Sequence, residues 1–197
     1  MIGVWLVIEW MVVAPVNGVV EDSLMIELSQ AELREVAAYA VACARPVLPI
    51  FEREHPDDKR PRTAIDAAAT FADGGRRNKA MRDCAWAAQR AAQETRDAGK
   101  VAASEAARAA QATASAGYLH PLAEATQVKH ILGPAAHAAR AFELSAGGNP
   151  TVGADHIAQA RILARPALVN VLRRYPAAPP NGGRVGELMR ELDASLR

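Results

Sequence analysis

Alanine is the feature that most constrains this chain, because it supplies 44 of the 197 residues. Alanine has the highest intrinsic helix propensity of the amino acids and is depleted in strands. Hydrophobic residues make up 50% of the chain but aromatic residues only 5%. The sequence therefore predicts an all-α fold. It excludes an all-β fold and disfavours a parallel α/β sheet, since it lacks the Val/Ile-rich runs that buried parallel strands require.

The length and charge of the chain limit the remaining classes. A chain of this size buries about 70% of its unfolded surface, so one domain needs no disulfide or metal to stabilise it. Lys and Arg number 23 against 22 Asp and Glu, and such a balance gives no global attraction to nucleic acid or to an anionic membrane. Cys43 and Cys84 lack the spacing of a zinc or redox site. We expect both to be buried, reduced thiols of a cytoplasmic protein.

The first 24 residues form an apolar extension. The first basic residue is Arg34, so the positive region of a signal peptide is missing. Glu9 interrupts the apolar run, which is also too short to span a membrane. Met25 stands immediately before a helix start signal. We expect translation to begin there and residues 1–24 to be a start-site artefact; the alternative is a strand or arm that folds onto the body.

Capping signals and apolar periodicity predict a compact array of about seven antiparallel helices, several of them kinked by proline. The predicted helices span about 30–54 with a kink or break near residue 45, 61–73, 77–98, 100–118, 121–145 with a break or kink at 133–134, 154–175 with a kink at 166, and 184–196. Ser29 and Glu32 form a capping-box pattern at the first start. Asp57 or Asp58 can cap the second helix, with Pro61 in its first turn.

The helix at 100–118 is nearly pure alanine, which predicts a central, closely packed spacer without chemistry of its own. In domain terms the sequence predicts a helical core at 25–176, a Pro/Gly linker at 177–183 and a C-terminal amphipathic helix at 184–197.

A search for catalytic or metal-binding patterns finds none that is complete. The chain has neither a Gly-x-Ser-x-Gly nor a P-loop motif. Glu52 and His55 have the Glu-x-x-His spacing of di-iron carboxylate sites, but the chain has no second such pair. His55 is therefore interpreted as a solvated loop residue. His130 and His137 are seven residues apart, or about 10 Å on a helix, which is too far to share a metal. We therefore predict no enzyme activity, no cofactor and no metal; a histidine-cluster enzyme is a minor alternative.

Exposed polar and charged side chains are expected at the start of the second helix. Arg62 and Asp66 are four residues apart and can pair on one helix face, where such a pair contributes a few tenths of a kcal/mol. A partner-binding site is the more specific interpretation.

Several stretches of the sequence together resemble one known family. The most specific are Arg60-Pro-Arg-Thr-Ala-Ile-Asp66 and the stretch from His120 to His130; Cys43–Glu52, Met81–Trp86, Ser104–Ala110 and the C-terminal segment from Asn170 also match. The family is that of the Imm-5-like immunity proteins of bacterial polymorphic toxin systems, and the resemblance covers about residues 25–197. Gln89 departs from it, since many relatives have histidine there.

The resemblance implies an all-α protein without enzyme activity that binds and neutralises a cognate toxin by stoichiometric occlusion. The candidate partner-binding residues are Arg60, Arg62, Asp66, Trp86, His120, Lys129 and His130. Core packing is nevertheless the favoured interpretation of Trp86, and His120 is equally a capping or loop residue. We expect no nucleic-acid or membrane partner. The sequence does not decide whether the protein forms a homodimer. The alternative function is a helical DNA-associated or nuclease-accessory protein.

Overall fold

A computed structural model describes residues 25–197, and these residues form nine α-helices. The helices are α1 (Gln30–Ala44), α2 (Leu48–Glu54), α3 (Arg60–Ala72), α4 (Lys79–Asp97), α5 (Val101–Ala116), α6 (Val128–Ser145), α7 (Pro150–Leu163), α8 (Pro166–Leu172) and α9 (Gly183–Leu196). Within this range the structure has no strand, and β-type pairing is limited to an isolated bridge between Met25 and Leu122. The predicted all-α bundle is confirmed. The expectations for residues 1–24 lie outside the described residues.

Proline divides two of the predicted helices, which is why nine helices replace about seven. The predicted break near Arg45 is confirmed: a 3-10 turn, Arg45–Val47, separates α1 from α2. At Pro166 the predicted kink is instead a full break. Arg165 is extended, with ψ at 157°, because a residue before proline is driven out of the helical region.

The helix predicted to begin at Pro121 begins at Val128 instead. The Pro121 carbonyl accepts a hydrogen bond from the Ile26 amide at 2.6 Å, which holds this segment extended against the N-terminal strand-like residues. Of the break or kink predicted at Gly133-Pro134, the break does not occur, because α6 continues through both residues. Both are buried, and packing of α6 against several neighbours offsets the hydrogen bond that Pro134 removes.

Local side-chain contacts act at other helix starts, and the capping box predicted for α1 is confirmed. The Ser29 amide donates to Glu32 Oε2 at 2.8 Å, and the Glu32 amide donates to Ser29 Oγ at 3.2 Å, which completes the capping box of α1. At α3 the N-cap residue is Lys59, which makes no side-chain capping bond, so the prediction that Asp57 or Asp58 caps this helix is wrong. Asp58 Oδ1 instead accepts from the amide of Arg60, the first residue of the helix, at 3.0 Å. Pro61 lies in the first turn, where its missing N–H costs nothing.

Helix α5 occupies the centre of the bundle, as its alanine content predicts. It packs against α1, α2, α3, α4 and α6. Most of its buried alanines, among them Ala106, Ala107 and Ala110, have no solvent exposure. Small side chains let the neighbouring backbones approach closely, so α5 and its partners α4 and α6 form a rigid three-helix layer that carries the site described below.

The C-terminal helix is packed on α6 and α7. Leu188 and Leu192 of α9 are fully buried in the same cluster as residues of α1, α6 and α8. Buried Asp193 accepts a hydrogen bond from the Ala178 amide at 2.8 Å, which fixes the segment before the helix. These contacts bring residues 179–189 alongside α5 and α6.

Candidate functional site

A groove runs along α5, bounded by α4 on one side and by α6 and the C-terminal segment on the other. It consists of two adjoining cavities of about 490 Å³ and about 250 Å³, which share Gln111, Ser115 and His130. We call the two cavities together the α5 groove. Its polar and aromatic lining residues are Arg82, Trp86, Arg96, Glu105, Arg108, Gln111, Ser115, Tyr118, Thr126, Lys129, His130 and His137.

The few polar residues of α5 supply the floor of this groove. One face of the helix carries four polar residues, Glu105, Arg108, Gln111 and Ser115. Successive members are three, three and four residues apart, which is the spacing of one helix face. Sequence analysis assigned this helix a packing role and overlooked the face. The sequence does contain a pattern that indicates this polar face, because the polar residues interrupt the alanines at helical spacing.

Glu105 and His137 form a pair across α5 and α6. His137 Nδ1 lies 2.7 Å from Glu105 Oε2, and both side chains are largely buried. Burial opposes ionisation of Glu105, but the hydrogen bond with His137 and the charges of His137, Arg108 and Arg140 hold the pKa of its carboxyl below the usual range. His137 is therefore an interface residue whose hydrogen bond is satisfied by Glu105.

His130 lies where the two cavities meet. Burial lowers the pKa of its imidazole, and a backbone hydrogen bond with Ser115 offsets part of that effect. Next to it, Gln111 Nε2 donates to Ser115 Oγ at 3.0 Å. The junction of the groove is thus a neutral, hydrogen-bonding surface at pH 7.

Cationic side chains from three helices line the two cavities. Arg82 and Arg96 come from α4, Arg108 from α5 and Lys129 from α6. Within residues 25–197 none of the four forms an ion pair with a carboxylate. Arg82 lies over the Tyr118 ring, 4.9 Å from its centroid. The groove therefore has a positive potential although the whole chain is nearly neutral.

Trp86 borders the smaller cavity and is 61% exposed. The favoured interpretation from sequence, core packing, is wrong for this residue. Its neighbours Ala85 and Ala88 point into the bundle, which turns the indole of Trp86 outward. A large exposed aromatic side chain beside cations is typical of protein–protein contact sites.

His120 lies beside the groove in a separate cavity that shares Arg82 and Tyr118 with it. The imidazole accepts a hydrogen bond from the Leu122 amide at 3.3 Å, through Nδ1. The backbone carbonyl of His120 accepts from the Tyr175 hydroxyl at 2.8 Å. These bonds give His120 the loop-stabilising role that the sequence left open.

The three candidates on α3 lie outside the groove. The predicted pair between Arg62 and Asp66 does not form: Arg62 binds Glu52 of α2 at 2.6 Å, and Asp66 binds Arg45 at 3.5 Å. Arg60 contacts both Asp58 and Glu94. Tertiary packing brings oppositely charged side chains of other elements closer than the weakly favoured partner one turn away. The structure thus brings together Trp86, Lys129 and His130 of the seven candidates.

Two other expectations from sequence concern single side chains. His55 was expected to be a solvated loop residue; instead it is half-buried against Phe51, with Nε2 lying 3.2 Å from Thr95 Oγ1. Cys43 is buried as expected, whereas Cys84 is partly exposed.

In the described part of the chain, no group of three His, Cys, Asp or Glu side chains is placed to hold a metal ion. Nor does any helix there have the length and apolar character needed to cross a membrane.

Comparison with protein families gives one match. The family model described as "Imm-5 like putative immunity protein" matches residues 27–165, which contain α1 to α7 and most of the α5 groove. The chain belongs to this family. Searches of curated proteins and of solved structures found no match. The Imm-5-like region ends before α8 and α9, so the wall of the groove at residues 179–189 lies outside the matched range.

Proposed function

We propose that this Imm-5-like protein binds a cognate bacterial toxin in the cytoplasm and neutralises it stoichiometrically, by covering a surface or active site of the toxin and without catalysing a reaction itself. The family match over residues 27–165 carries this proposal. A neutralising protein needs a stable scaffold and an exposed recognition surface, and the helical bundle with its α5 groove supplies both.

The contact surface is proposed to centre on Trp86, with Lys129 and His130 along the adjoining groove. Energetic hot spots in interfaces are enriched in Trp, Tyr and Arg, and Trp86 and Tyr118 lie beside Arg82 in the same cavity. Of the remaining candidates, Arg60, Arg62, Asp66 and His120 are proposed as peripheral contacts. Each already has a partner within the chain, so each would add less to affinity.

The test begins with the gene neighbourhood, where a large adjacent open reading frame with a C-terminal toxin domain is expected, and then asks whether this protein neutralises that domain. Co-expression is expected to restore growth, and the purified proteins are expected to form a 1:1 complex. Trp86→Ala is expected to weaken that complex by about 30-fold or more, as for a hot-spot residue. Ile162→Ala is the matched control, because Ile162 is 74% exposed on α7, away from the groove, and is expected to change affinity less than threefold.

Two results would count against the proposal. If the protein neither binds the neighbouring toxin nor restores growth, the immunity function is wrong; if it only self-associates, a homodimeric scaffold replaces it. If it binds but Trp86→Ala and Ile162→Ala behave alike, the contact surface lies elsewhere.

The alternative function is a DNA-associated protein, and the unpaired cations of the α5 groove are the observation in its favour. A gel shift with double-stranded DNA that weakens steeply with salt would support it. Absence of DNA binding at 50 mM salt would exclude this alternative function.

A further inference from the structure

Among the cations of the described residues, those of the α5 groove differ from those that hold the bundle together. On the α2–α4 face, arginines are neutralised by carboxylates of the chain itself, as Arg60 is by Glu94 and Arg62 by Glu52. In the groove, Arg96, Arg108 and Lys129 face a single lining carboxylate, Glu105, and its Oε2 is already bonded to His137. The positive charge of the groove is therefore left for a partner to neutralise.

We infer that the α5 groove receives an acidic segment of the partner protein, so that its carboxylates contact Arg96, Arg108 and Lys129 while a neighbouring apolar side chain packs on Trp86. This inference rests on the proposed function and names the chemistry of the toxin surface that is covered. Arginine and lysine recognise carboxylates through charge-assisted hydrogen bonds, and complementary charge across an interface also accelerates association.

The shape of the groove favours an extended chain over a compact anion. Its cations come from three helices and are divided between two adjoining cavities, with Arg82 in the smaller and the others in the larger. Along the floor, the Ser115 hydroxyl and the second N–H of the Gln111 side-chain amide can donate to further oxygen atoms of a peptide. A lone phosphate would contact only part of this surface.

The aromatic residues disfavour a nucleic acid in the same place. Binding of single strands uses successive exposed rings on which bases stack. Here Trp86 presents an open ring, whereas the Tyr118 ring is already covered by Arg77 and Arg82, at 5.5 and 4.9 Å from its centroid. One open ring beside a row of cations suits an acidic peptide that carries one apolar side chain.

The test uses charge reversal in the full-length protein with the toxin that it neutralises. Arg96→Glu combined with Lys129→Glu is the groove variant, since both residues are exposed and unpaired. Arg53→Glu combined with Arg161→Glu is the control, because it changes the net charge equally at two exposed positions on α2 and α7. Circular dichroism checks that both variants fold.

The groove variant is expected to weaken toxin binding at least 100-fold at 150 mM salt and to lose most of its salt dependence, whereas the control changes the Kd less than threefold. An acidic-to-lysine substitution in the toxin segment that occupies the groove is expected to restore binding to the groove variant. Should the groove variant fail to fold, Arg108→Gln with Lys129→Gln replaces it, with an expected loss of at least 20-fold.

The outcomes separate this inference from the immunity function. If the wild-type protein does not bind the toxin, the proposed function fails. If it binds and the two double variants weaken the complex equally, or neither does, the immunity function stands and the acidic-segment inference is overturned. Displacement of the toxin by a 12-nucleotide single strand that itself binds the groove would overturn it in favour of nucleic acid.

Discussion

Glu143 of α6 is 1% exposed, and arginines hold both of its carboxylate oxygens. Arg140 donates to Oε2 at 2.7 Å, and Arg184 of α9 donates to Oε1 at 2.5 Å. Gly153 of α7 faces the same carboxylate, and a Cβ atom at that position would lie 2.6 Å from Oε1. A buried carboxylate thus requires a glycine on the helix that covers it.

We predict that Gly153→Ala destabilises the protein by about 1–3 kcal/mol, as overpacking of a filled interior does. Ala158→Gln is the control at an exposed position of the same helix, and it is expected to change stability by less than about 0.5 kcal/mol. Urea denaturation measures both, and shifts of equal size would contradict the prediction.

His130 makes the stability depend on pH. Burial lowers the pKa of this imidazole in the folded state, with a backbone hydrogen bond to Ser115 acting in the opposite direction. The unfolded chain then binds the proton more readily, so the stabilisation present above pH 6.5 is lost as the pH falls. His156 acts with the same sign, because burial lowers its pKa against the charge of Asp155.

We therefore predict that the urea midpoint of the wild-type protein decreases between pH 7.5 and pH 5.5, and that His130→Gln shows a smaller decrease. His130→Gln combined with His156→Gln is expected to reduce the pH dependence further. Denaturation curves at four pH values in this range measure it. An identical decrease in all three proteins would show that neither histidine is responsible.

At the scale of the element, α5 shows how alanine acts differently on two faces. On the faces covered by neighbouring helices, Ala106, Ala107 and Ala110 leave no room for larger side chains. On the remaining face, the polar residues between the alanines form the floor of the groove. Close packing and site formation thus depend on the same helix.

We predict that Ala110→Leu destabilises the protein by about 1–3 kcal/mol, because the extra methylene groups have to displace α4 or α6. Ala158→Leu is the control on an exposed position of α7 and is expected to change stability by less than about 0.5 kcal/mol. Thermal and urea denaturation give both values. A tolerated leucine at 110 would mean that α5 is less tightly enclosed than described.

Most helix boundaries could be predicted, because they depend on neighbours in sequence. The Ser29–Glu32 capping box and the break near Arg45 are of this kind. At Gly133-Pro134 the sequence left both a break and a kink open, and it could not decide that α6 continues through Pro134. The cost of that continuation is offset by contacts with helices that are distant along the chain, and no local pattern reports those contacts.

At the scale of the molecule, α9 joins the family-matched region through one buried ion cluster. Arg184 reaches Glu143 from outside the matched range of residues 27–165. Asp193 fixes the preceding segment and also accepts from Arg197 at 2.8 Å. The wall that α9 gives to the α5 groove depends on these bonds.

We predict that Arg184→Gln costs about 2 kcal/mol, because it leaves a buried carboxylate with one arginine instead of two. Arg161→Gln, at an exposed position without an ion pair within residues 25–197, is the control and is expected to cost less than about 0.5 kcal/mol. Urea denaturation measures the loss, and hydrogen exchange is expected to show faster opening of α9 in Arg184→Gln. Unchanged exchange there would argue that apolar packing alone holds the helix.

The composition by itself determined that this chain is a bundle of alanine-rich helices, because helix propensity, capping and the effects of proline act over a few residues. Only the tertiary structure decided which side chains meet. It separated Arg62 from Asp66, turned Trp86 to the surface and placed Lys129 and His130 beside the polar face of α5. The rotation and order of packed helices set these distances. They follow from the packing of the whole bundle and are not encoded in any short stretch of sequence.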